Sequence, residues 1–209
     1  MIPVQWRKRK GAGNLEANTR GFGRRQGLRQ HGPAGRIFFA GRGGGGPSNG
    51  LLSLNQYRLN GCLGCNACRY GKPCVQKDDF AAVAEKVLTA DLVAFASPLY
   101  FWTISAKLKA FIERFYCMAQ EDPNPPLGRY EKYPVKDSVL LMTAADNFFW
   151  TFQQAESYYQ FAVVNYIGFH DKGVYLAGGC GSTNGRPQIG ATSHLRKAYE
   201  FGKNLYPEG

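Results

Sequence analysis

Three short stretches of this chain are apolar at nearly every position: residues 91–96 (DLVAFA), 138–144 (SVLLMTA) and 173–177 (GVYLA). A strand with one wet face alternates polar and apolar residues, so such runs predict strands buried on both faces. Segments of helical spacing lie between them. Phe80, Val83, Val87 and Leu88 share one helix face, with Asp78 or Asp79 as the cap. Ser105 caps a second helix, which carries Leu108, Phe111, Ile112 and Phe115 and runs to residue 119. The sequence EDPNPP at 121–126 then breaks it. Residues 151–166 and 192–205 predict two more helices, and residues 51–59 a short strand. Strands alternating with helices make an α/β fold whose parallel sheet is covered on both faces. Ligands of such sheets bind beyond the carboxyl ends of the strands, which singles out loops 97–104, 145–150 and 178–190.

The first fifty residues follow different rules. They hold thirteen of the 26 glycines, and ten Lys or Arg against one acid, Glu16. Beyond residue 50 sixteen basic residues face fourteen acids, so the net charge of +11 belongs mostly to one segment. The rest has no basic face to track a phosphate backbone, and nucleic acid is not the expected partner. We therefore divide the chain into an atypical basic segment, 1–50, and a folded domain, 51–209. The first segment is a flexible basic arm, a degraded first βα unit, or in part a stretch translated out of frame. The last reading is preferred over part of it: one base over, the codons for GRIFFA at 35–40 spell a credible strand.

No run of about 18 apolar residues exists to span a membrane. MIPVQWRKRK has no apolar stretch behind it, so no secretory signal is expected. Four of the six cysteines crowd into thirteen positions, which suits metal or redox use in a reducing cytoplasm better than disulfides.

The first loop reads Ser97-Pro98-Leu99-Tyr100-Phe101-Trp102-Thr103-Ile104-Ser105. Three adjacent aromatics at a strand's carboxyl end suit a flat redox-active ring such as isoalloxazine. Packing under neighbouring helices, or at a subunit interface, explains them equally well. The Phe148-Phe149 pair and Trp150 divide in the same way between flanking a flavin and filling the core.

SPLYFWTISAKLKAFIERF resembles the second flavin loop and following helix of the flavodoxin-like NAD(P)H-dependent FMN reductases. GCLGCNACRYGKPCVQKDDF resembles the cysteine segment of their iron–sulfur flavoprotein branch, and LLMTAADNFFWTFQQAESYY the third loop and helix. The resemblance runs from about Ser53 onward. It implies a flavodoxin-like three-layer sandwich of five parallel strands that binds FMN, takes NAD(P)H as substrate and assembles as a homodimer or homotetramer. By analogy Pro98, Leu99, Tyr100, Phe101, Trp102 and Ser105 surround the flavin, and Thr143, Ala144, Ala145 and Asp146 line its other edge. A Gly-Ser turn holds the FMN phosphate in that family. Here only Arg9-Lys10-Gly11-Ala12-Gly13-Asn14 stands in that place, with Asn14 the one matching side chain.

Cys62-x2-Cys65-x2-Cys68-x5-Cys74 has the compact spacing of an iron–sulfur cube, and the resemblance implies a [4Fe–4S] cluster. Zinc usually takes two more widely separated pairs. Packing or thiol redox is the competing use of these cysteines. Cys117 reads as a small buried hydrophobe and Cys180 as a free loop thiol, while His170 and His194 have no partner at suggestive spacing. The expected activity moves electrons from NAD(P)H to a small acceptor: a quinone, a nitro or azo compound, or an electron carrier. Two rivals stay open. One is an iron–sulfur/flavin electron-transfer protein without a nicotinamide site; the other is a non-catalytic domain that binds a partner through residues 1–50.

Overall fold

The computed structural model describes residues 3–7, 49–70, 72–118, 136–183 and 186–205. Asn14, the rest of the phosphate-loop candidate, and the EDPNPP stretch lie outside them.

Five strands form one sheet: β1 (Pro3–Arg7), β2 (Asn49–Ser53), β3 (Leu92–Pro98), β4 (Asp137–Thr143) and β5 (His170–Ala177), in the order β2-β1-β3-β4-β5. Strands β3, β4 and β5 are parallel. The expectation of five parallel strands is corrected at β1, which pairs antiparallel with both neighbours. Antiparallel neighbours, unlike parallel ones, need no crossover to bring their ends together.

Helices α1 (Phe80–Leu88), α2 (Ala106–Glu113) and α3 (Gln153–Tyr159) connect the strands, and α4 (His194–Asn204) follows β5. Alternation along β3 explains its unbroken burial. Val93 and Phe95 enter a large core with Phe80, Val83, Val87, Leu108 and Phe111. Leu92, Ala94 and Ala96 point to the opposite face, where Phe201 and Leu205 pack. Both faces of the sheet are thus covered. An aromatic chain crosses the larger core: Phe80–Phe111 at 5.7 Å, Phe111–Phe115 at 5.2 Å, Phe115–Phe169 at 6.0 Å and Phe169–Phe95 at 6.3 Å. Such pairs add about 0.5–1.5 kcal/mol each beyond area burial.

The element ends refine the sequence reading. Strand β2 stops at Ser53, and a 3-10 turn, Leu54–Gln56, follows. The second helix gives way after Glu113 to a 3-10 stretch, Arg114–Met118. The long helix expected at 151–166 splits into α3 and a π-helical segment, Gln160–Ile167, which ends at Gly168 with φ 86°. That left-handed residue suits glycine at a helix terminus.

Candidate functional site

The parallel register sets Pro98 beside Thr143, so the loops leaving β3 and β4 start side by side. The Leu99 amide donates to the Thr143 carbonyl at 2.8 Å and seals that junction. Pro98, Thr143 and Ala144 are buried beneath it, whereas Ala145 and Asp146 are exposed.

Tyr100 and Thr103 exchange backbone hydrogen bonds of 3.0 and 3.1 Å, closing a two-residue turn. Its central residues, Phe101 and Trp102, have φ of 48° and 60°. Left-handed backbone costs an ordinary residue about 1–2 kcal/mol, so an Asn-Gly pair would suit this turn far better. Instead it carries two aromatics, and Phe101 is 92% exposed. Tyr100 and Trp102 are exposed as well, so the turn is not packed under the helices. Phe148, Phe149 and Trp150 are also exposed, and Phe152 fills the core instead. Phe148 stacks on Trp150 with centroids 5.3 Å apart, and Trp150 meets Trp102 at 5.9 Å.

Below the turn, the Ser97 hydroxyl accepts from the Ser105 amide at 2.9 Å and donates to the Pro98 carbonyl at 2.7 Å. Ser105 sits at the start of α2 without a side-chain capping bond, and its buried Oγ has no partner among the described residues. Asp79 likewise holds the N-cap position of α1 without a side-chain cap.

The third loop joins the same floor. The Gly179 amide donates to the Asp146 carbonyl at 3.0 Å and the Cys180 amide to the Ala144 carbonyl at 2.8 Å. Gly178 has no room for a side chain, because a Cβ there would sit 2.9 Å from the Asp146 oxygen and overlap Asn147. His194 holds this loop from α4: Nε2 lies 2.9 Å from the Gly178 carbonyl and Nδ1 2.9 Å from the Tyr175 hydroxyl. Sequence spacing could not reveal that role, since His194 acts through a main-chain atom. Cys180 is a free thiol as expected but fully buried, packed with Ala177 and Ile189. Burial raises its pKa.

The cysteine segment lies elsewhere, against the end of α2. The Glu113 carboxylate accepts from the Cys62 amide at 3.1 Å, and Glu113 pairs with Lys109 at 2.5 Å. Arg114, 2% exposed, pairs with the equally buried Asp78 at 2.7 Å and donates to Cys74 Sγ at 3.4 Å. Burial opposes charge on both partners. Their hydrogen bond and mutual attraction prevail, holding the Asp78 carboxyl below its ordinary 3.8 and Arg114 above its ordinary value. Asp78 also accepts from the Asn60 amide at 3.0 Å, which fixes the entrance of the cysteine loop. No sequence spacing marks this pair, whose members lie 36 positions apart.

Cys62, Cys65, Cys68 and Cys74 all border one small cavity, together with Cys117 and Arg114. Cys117 is half-buried rather than a core residue; its thiol donates to the Arg114 carbonyl at 3.0 Å, and burial pushes its pKa up to about 11. Among the described residues, no three Cys, His, Asp or Glu side chains converge on a point where a single metal ion could sit. Nor does any described helix have the length and apolarity to cross a membrane.

The architecture is a flavodoxin-like α/β sandwich, with the exposed aromatic turn at the carboxyl end of its parallel strands. Residues 49–145 match the family model of the NADPH-dependent FMN reductases. An iron-sulfur flavoprotein of Archaeoglobus fulgidus is 36% identical over 63 residues, 30% of this chain and 29% of that protein. The putative NAD(P)H-dependent FMN-containing oxidoreductase YwqN of Bacillus subtilis is 30% identical over 71 residues, 34% of this chain and 38% of that one. The chain therefore spans well under half the length of these curated relatives. The solved NAD(P)H:quinone oxidoreductase of Methanothermobacter marburgensis shares the fold, with TM-score 0.57 and 20% identity over 85% of this chain and 90% of that one.

Proposed function

We propose that the domain at residues 51–209 is an FMN-dependent oxidoreductase, which takes electrons from NAD(P)H and hands them to a small acceptor such as a quinone, a nitro or azo compound, or an electron carrier. The observation that carries this reading is the exposed turn of Tyr100, Phe101 and Trp102 facing Trp150, at the end of the sheet where ligands bind. Apolar rings held in water on strained backbone suit the face of another flat ring. Pro98, Leu99 and Ser105 supply the floor beside that ring. Thr143, Ala144, Ala145 and Asp146 line its second edge, where the Gly179 and Cys180 amides hold the Asp146 and Ala144 carbonyls. Asn14, the expected phosphate contact, lies outside the described residues.

When bound, FMN supplies the hydride and electron chemistry, so no side-chain acid or base is required. The chain's share is to hold the ring by its aromatic turn, keep competing water away with Trp102 and Trp150, and fix the loops through His194. Exposed aromatics on this scale also suit burial in a homodimer or homotetramer, where a second copy would close the pocket.

Cys62, Cys65, Cys68 and Cys74 fit a [4Fe–4S] cluster. Each iron of a cube takes one thiolate, so the ligands surround a small cavity and do not converge on one point. All four border such a cavity, and zinc usually takes two more widely separated pairs. Exposed Cys62 and Cys65 suit a reducing cytoplasm.

The test is the absorption spectrum of protein purified without air, followed by NAD(P)H oxidation with menadione as acceptor. Flavin bands and turnover support the enzyme. Bound flavin without NAD(P)H oxidation identifies an electron-transfer protein instead, and absence of flavin after incubation with FMN refutes both.

A further inference from the structure

The cysteine cavity contains one feature that thiolate ligation alone does not require: a buried arginine in its wall. Four thiolates around an oxidised cube leave net negative charge, and charge away from water demands a partner. Arg114 is the cation placed to provide it. One Nη1 hydrogen goes to Asp78 at 2.7 Å and the other to the Asn60 carbonyl at 3.3 Å. Nη2 donates to Cys74 Sγ at 3.4 Å. Nε is buried with no acceptor among the described residues, although guanidinium nitrogens are costly to leave unsatisfied. The guanidinium also lies 4.7 Å over the Phe80 ring, which fixes its plane.

We propose that Arg114 is the resident counter-cation of the iron–sulfur site. It donates to the Cys74 thiolate and keeps its Nε–H as a donor toward the cluster, and in this way raises the cluster's reduction potential. Asp78 is then a positioning residue, which holds the guanidinium in the wall through Nη1 and leaves the Nε–Nη2 side for sulfur. Hydrogen bonds to sulfur and nearby positive charge both favour the reduced, more negative cluster. A lysine is a compact point charge without the planar fork that presents one edge to Asp78 and another to Cys74. The assignment rests on reading the four cysteines as cluster ligands.

The test reconstitutes full-length protein anaerobically with ferrous iron and sulfide, then measures iron and sulfide content and an EPR-monitored reduction potential. Wild type, Arg114→Lys and the Asp78→Asn/Arg114→Met pair are compared; the double variant removes both charges and avoids a buried unpaired ion. Circular dichroism establishes that each is folded. The expected result is a more negative potential in both variants, with the larger shift in the double variant, or loss of the cluster from a folded chain. A loaded, folded variant with the wild-type potential overturns the role of Arg114 while sparing the cluster. Wild type that takes up no iron and sulfide overturns the cluster reading and this role with it.

Discussion

The indole rings of Trp102 and Trp150 meet at 5.9 Å with 39° between their planes, although 48 residues separate them in sequence. They join the loops that leave β3 and β4, and both stay exposed. Removing one wall of the aromatic slot should weaken flavin binding and leave the core alone. Trp102→Ala is expected to raise the FMN dissociation constant about tenfold, or about 1.4 kcal/mol, in a fluorescence titration. An unchanged constant would place the ring elsewhere.

Phe101 carries a left-handed φ with its ring almost wholly in water. Phe101→Asn should relieve the backbone and stabilise the domain by roughly 0.5–1 kcal/mol in urea unfolding. The same change should reduce flavin affinity. A gain in stability with full affinity would make the turn a structural oddity with no part in binding.

Gly178 has no space for a methyl group beside Asn147 and the Asp146 carbonyl. Gly178→Ala must therefore push the third loop off the shared floor. The expected outcome is several-fold weaker flavin binding with little change in unfolding midpoint, because the loop lies outside the main core.

The Asp78–Arg114 pair couples the cysteine loop to the helix end. Asp78→Asn alone leaves a buried cation and should cost about 3–5 kcal/mol, with most of it recovered in Asp78→Asn/Arg114→Met. The Asp78 carboxyl is held below 3.8 in the folded chain. Its stabilisation is therefore full above that value and is lost as pH falls through the folded pKa. Acid unfolding of wild type relative to the double variant measures this, and identical acid profiles would contradict it.

Thiol reactivity should sort by burial. Cys62 and Cys65 are exposed, Cys180 is buried, and the Cys117 thiol has its pKa raised to about 11. Iodoacetamide at pH 8 should label the cluster-free protein first at Cys62 and Cys65, as read by peptide mass spectrometry. Early labelling of Cys117 or Cys180 would refute the burial seen here.

The sequence by itself determined the layers. Apolar runs at 91–96, 138–144 and 173–177 have to be strands buried on both faces, and helical spacing at Phe80 to Val87 and Leu108 to Phe115 has to cover them. It also displayed the aromatic turn and the four close cysteines, since short-range spacing survives in one dimension. The tertiary structure decided what depends on distant backbone. It reversed β1, put Phe101 and Trp102 in left-handed conformation, and buried Cys180. It also brought Trp150 to Trp102, His194 to the Gly178 carbonyl and Arg114 to both Asp78 and Cys74. No local pattern encodes such pairs, because strand register and helix packing, not chain spacing, set the distance between them.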